Sequence, residues 1–149
     1  MSASFEIDMS DIIQALEDKL NKVNASLMMY GEVAAKNLES YAKSNHPWTN
    51  RTHEAEKRLH GSCEVSGFVL TIALSHGVEY GPLLEFGSPP HVIVPALAKA
   101  LYWDGAEHPV KMVHHPGSQP YPIIMPSIER MGPEIMRGFT VLMLSLIHI

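Results

Sequence analysis

Cysteine is nearly missing from this chain, and the single Cys63 among 149 residues rules out an internal disulfide. A lone thiol of this kind is read as a small core residue. Basic residues are scarce too: Lys and Arg total 11 against 16 Asp and Glu, for a formal charge of -5, so the molecule repels nucleic acid phosphates. Arg51, Lys57, Arg58 and Lys111 are scattered among acids, with no aromatic interleaving for a single strand to stack on. No basic cluster followed by an apolar stretch opens the chain, so a secretion signal is not expected and the cytoplasm is the expected compartment. The one strongly apolar run, Phe139 to Ile149, is too short to span a bilayer, which takes about 20 helical residues. It reads as the end of a buried helix, although Leu144 to Ile149 also looks like translated sequencing adapter and so like a tail that is not native.

Catalytic signatures are equally sparse. There is no glycine loop placed for phosphate and no nucleophile elbow, and Ser75 beside His76 is only a pair of sequence neighbours. Nine histidines invite a metal hypothesis, with His108, His114 and His115 as the best cluster and His60 and Cys63 outside it. Adjacent His114 and His115 would point to opposite faces of a strand and cannot share an ion. His76 and Glu79 make half of a metal-helix motif without its second histidine. Glu79 and Glu85 read as ordinary paired or solvated carboxylates. No catalytic, cofactor or metal site is expected.

What is present is a set of periodic segments. Ile13, Leu16, Leu20, Val23, Leu27, Tyr30, Ala34, Leu38 and Tyr41 recur at steps of three and four, which predicts a long amphipathic helix over residues 1–45. Asp8 or Ser10 would cap it and His46-Pro47 would stop it. The spacing is nearly a heptad repeat, so a coiled coil with a neighbouring subunit competes with packing on the chain's own sheet. Gly31 is a weak point or a close-packing site.

Residues 46–123 carry the sheet. Thr52 would cap a short helix from His53 to His60 with Gly61 ending it in the left-handed conformation. Cys63–Ser66 and Phe68–Leu74 around Gly67 read as a hairpin, and His91–Pro95, Ala98–Trp103 and Pro109–His114 as three more strands, with Asp104-Gly105 turning between the last two. Pro82 suits the first turn of a short helix over Glu79–Phe86, and Pro126 that of a closing helix over residues 124–144. The expected fold is a single α+β domain: a long N-terminal helix, an antiparallel sheet of about four to five strands, short helices, and a C-terminal helix packed on the sheet.

Four blocks then occur in order: His46-Pro47-Trp48-Thr49-Asn50-Arg51-Thr52; Tyr80 to Gly87; Val92 to Pro95 with Ala98 to Trp103; and Val113 to Gly117 with Pro120-Tyr121 and the helix opening at Pro126. Together, over His46 to Met136, they resemble the tail-component family of long-tailed bacteriophages, small neck proteins that help join a filled head to a tail. His53-Glu54, Ala96-Leu97 and Tyr121 depart from that family's usual residues. The resemblance implies a structural, non-enzymatic neck or tail-completion protein, found in the virion and in the host cytoplasm during assembly. It would form a homo-oligomeric ring, a hexamer in the virion, dock on other neck and tail proteins, and let DNA pass without specific binding. Trp48, Arg51, Tyr80, Glu85, Phe86, Trp103 and Tyr121 are the candidate interface residues. The rivals are a tail terminator or tail-tube protein, a small histidine-based metal enzyme, and a toxin-like or regulatory dimer built on the long helix.

Overall fold

A computed structural model describes residue 5 and residues 7–147. Helix α1 runs Ser10–Asn45, about 54 Å at 1.5 Å per residue. The Asp8 carboxylate accepts from the Ser10 amide at 2.9 Å at its start. It ends where expected: His46 turns extended at φ -63°, ψ 140°, as the residue before Pro47 must. The reading of residues 1–4 and 6 as free of a secretion signal, and the tail reading at 148 and 149, lie outside the described residues.

Helix α2, Glu54–Lys57, is shorter than the segment predicted from His53 to His60. Gly61 does not end it: Gly61 belongs to strand β1, Leu59–Ser66, which pairs antiparallel with β2, Val69–His76, around Gly67 at φ 58°. A Cβ on Gly61 would lie 2.1 Å from the Ala35 carbonyl oxygen, and one on Gly31 would lie 2.7 Å from Leu70 Cδ1. Glycine at 61 lets the backbone of β1 lie against that of α1, and Gly31 lets the Leu70 and Cys63 side chains pack close on the helix, so Gly31 is a close-packing site. Own-sheet packing therefore holds for the C-terminal half of α1, where Leu27, Gly31, Ala34, Ala35, Leu38 and Ala42 are buried. No residue of α1 before Leu27 is buried, so the same stripe continues largely uncovered. Cys63 sits half-buried beside Gly31 and Met28 instead of deep in the core.

The architecture is α+β, but its strands form two separate two-stranded sheets in place of one sheet of four to five. Beyond α3, Gly81–Phe86, with Pro82 in its first turn as predicted, the second sheet pairs β3, His91–Ile93, with β4, Val113–His115. The strand predicted over Ala98–Trp103 reduces to one bridge, Leu101 to Val110, although the Asp104-Gly105 turn forms, with Ala106 N–H donating to Trp103 O at 3.0 Å. Pro89, Pro90, Pro95 and Pro109 remove ladder donors around these strands, and none of residues 86–122 is buried, so no apolar face rewards a longer ladder.

Helix α4, Ile124–Ile147, runs through Pro133 and packs chiefly along α1 instead of lying across a sheet. Its end is not buried, since Val141, Leu144 and Ile147 are 67%, 53% and 67% exposed. The core lies where α1, the hairpin and the start of α4 meet: Leu38, Ala42, Leu59, Leu74 and Ile123, flanked by Trp48, Ile72, Ile124 and Met131.

Candidate functional site

The polar centre of the molecule is built on Glu85, which α3 holds against the start of α4. Glu85 is buried, and its carboxylate accepts from the amides of Ile123 at 2.9 Å, Ile124 at 3.1 Å and Met125 at 3.3 Å. Pro126 has no amide hydrogen, and Ser127 N–H is the next donor, to Ile123 O at 3.0 Å. Every free donor of the helix start is thereby satisfied. Burial alone would push the Glu85 carboxyl up, but the three amides and His76 together hold it below the ordinary carboxylate value.

His76, at the end of β2, donates from Nε2 to Glu85 at 3.4 Å, which leaves its buried Nδ1 without a partner. A Cβ on Gly81 would lie 2.4 Å from His76 Cβ, so only glycine lets α3 close over the imidazole. Trp48 packs on His76 at a ring separation of 5.9 Å and stacks on His46 at 4.6 Å. His46 and Asn50 lie 3.0 Å apart, Trp48 Nε1–H donates to Asn50 at 3.2 Å, and Asn50 reaches Glu56. This chain of contacts ties the loop after α1 to α2, β2, α3 and α4. With the oxygens of Glu85 occupied by amides and the imidazole, the cluster is organised to hold elements together.

The remaining predicted interface residues divide into two groups. Trp48, Arg51 and Tyr80 line one shallow cavity of about 300 Å³ with Thr52 and Leu84. Phe86, Trp103 and Tyr121 belong to the segment 86–122 and are 78%, 50% and 42% exposed. That segment is an arm: its root is the bridge from Ser88 to Ser118 and the bond from Tyr121 N–H to Leu84 O at 2.7 Å. Glu85 alone among the seven is turned wholly inward.

The histidine cluster is not gathered. The His115 ring pairs with His91 at 5.0 Å, and His60 points instead to Glu39 at 3.4 Å. Ser75 Oγ donates to the His60 carbonyl at 3.4 Å and not to His76. Among the described residues no three His, Cys, Asp or Glu side chains are placed to share an ion. No helix among them is long and apolar enough to cross a membrane.

Four exposed apolar positions outside the predicted set stand out: Phe68 at 82%, Leu97 at 103%, Val94 at 62% and Met136 at 61%. Phe68, next to the turn glycine Gly67, carried a signal, because hairpin turns favour polar residues. Met136 carried none, since it lies beside the apolar stripe of α4 and only packing reveals that it is bare. Comparison with protein-family models, with curated proteins and with solved structures finds no match to this chain.

Proposed function

We propose that this chain is a structural subunit of a bacteriophage head–tail junction, a neck or tail-completion protein that works by assembling into a ring, six-fold in the virion. The observation that carries the reading is surface in excess. A compact monomer of this mass exposes about 7,600 Å², whereas this chain exposes 11,612 Å². Interfaces between proteins bury about 800 Å² per partner, so the surplus is enough for contacts on several sides. Ring subunits in a stacked assembly need such contacts, side to side with copies and above and below with other neck or tail proteins. The four ordered sequence blocks point to the same setting, and two of them, Tyr80–Gly87 and Val113–Gly117, build the root and second strand of the exposed arm. A net charge of -5 suits a channel through which DNA slides without sticking. A tail terminator differs only in the surface on which the ring docks.

The test is electron microscopy and light scattering of the purified chain, alone and mixed with the portal, neck and tail proteins encoded beside it. Six-fold rings, free or templated by one of those proteins, are the expected result. A chain that binds none of them, or that turns over a small molecule with one bound metal per subunit, would refute the reading.

A further inference from the structure

Two apolar features of opposite shape lack a partner within the chain. The first is the arm, residues 86–122, in which no side chain is buried and from which Val94, Leu97, Tyr102 and Trp103 emerge 62%, 103%, 67% and 50% exposed. The second is a groove of about 330 Å³ between the tip of the β1–β2 hairpin and α4, lined by Phe68, Val69, Leu70, Ile135, Met136 and Phe139. Resting on the ring reading above, we propose that the arm tip of one copy, residues 94–103, seats in the groove of the next copy.

The groove asks for an apolar occupant. The one hydroxyl in its wall, that of Tyr30, already donates to the Ile135 carbonyl, so the lining offers a polar ligand little to bind. The arm matches that demand in chemistry and in charge. Its Lys99 and Lys111 balance Asp104 and Glu107, so the arm is neutral by formal charge and the whole -5 resides on the rest of the chain. The arm thus adds no net charge of its own to repel an acidic copy at this contact.

The arm is also held in a fixed direction. Gly87 and Gly117 take left-handed φ values of 72° and 89° on facing chains, where a Cβ would lie 2.4 Å from Ser118 O and 2.3 Å from Ser88 O respectively. A two-stranded hairpin standing alone is marginal in water. A covering surface would stabilise this one, and arm and groove are different surfaces of one chain. Such a head-to-tail contact continues from copy to copy and closes into a ring when the rotation permits.

Sedimentation of the full chain over a range of concentrations tests this with two variants, Leu97→Asp in the arm and Met136→Asp in the groove. Both positions are exposed, and unchanged circular dichroism and melting of the monomer confirm folding. Each carboxylate placed against apolar surface should weaken self-association by at least about tenfold. An equimolar mixture of the two should form a heterodimer and nothing larger, because only one intact arm meets one intact groove. Association of Leu97→Asp equal to that of the unaltered chain, an unaltered chain that stays monomeric, or a mixture that stays monomeric would each overturn the contact. Six-fold rings that persist in Leu97→Asp would keep the ring reading and reject this contact. Open filaments or a different closed symmetry, lost in both variants, would keep the contact and reject the six-fold ring.

Discussion

At the scale of single residues, Glu85 connects the most with the least. Its carboxylate serves the start of α4, and His76 and Trp48 extend the connection to β2 and the loop after α1. Glu85→Gln keeps the shape but loses the charge that attracts three amides, and should cost about 2–3 kcal/mol, read as a lower melting temperature. The pH dependence has a defined sign. Glu85 titrates lower in the folded chain than its ordinary value of 4.5, so its contribution is complete above that value and is lost as pH falls through the depressed one. Melting curves of the wild type from neutral pH down to about pH 3 should show this loss, and Glu85→Gln should flatten that part of the profile. The sequence marked Glu85 as part of a block but not as a helix cap, because its amide partners lie 38 to 40 positions away.

Among the elements, those whose signals are local were legible in the sequence. The period of α1, its stop before Pro47, the Gly67 turn and the place of Pro82 each depend on a few neighbouring residues. Ala98–Trp103 was misread as a strand because alternation describes a strand only when one face has something to pack on, and this segment has nothing. Gly61 was misread as a helix stop for a similar reason: the Ala35 carbonyl that demands a glycine belongs to a distant part of α1. The division of α1 into a covered and an uncovered half predicts a gradient. Amides of residues 27–42 should exchange slowly with solvent, and those of 14–26 should exchange faster in the isolated monomer. Equal protection along the helix at low concentration would contradict the division.

For the whole molecule, the balance of surface matters most. Nine hydrophobic residues are buried among those described, four of them alanine, while 29 large apolar side chains are exposed. On the proposed self-assembly copies would cover part of this surface, so the melting temperature should rise with protein concentration. A melting temperature constant over a hundredfold range of concentration would count against self-association of the free chain. By itself the sequence determined the α+β class, the long helix, the hairpin and the closing helix, since periodicity and proline act over a few residues. Only the tertiary structure decided that the strands divide into two small sheets, that Glu85 turns inward, and that the arm stands bare. Those outcomes depend on which surfaces meet across tens of residues, and steric fit between distant segments leaves no local pattern.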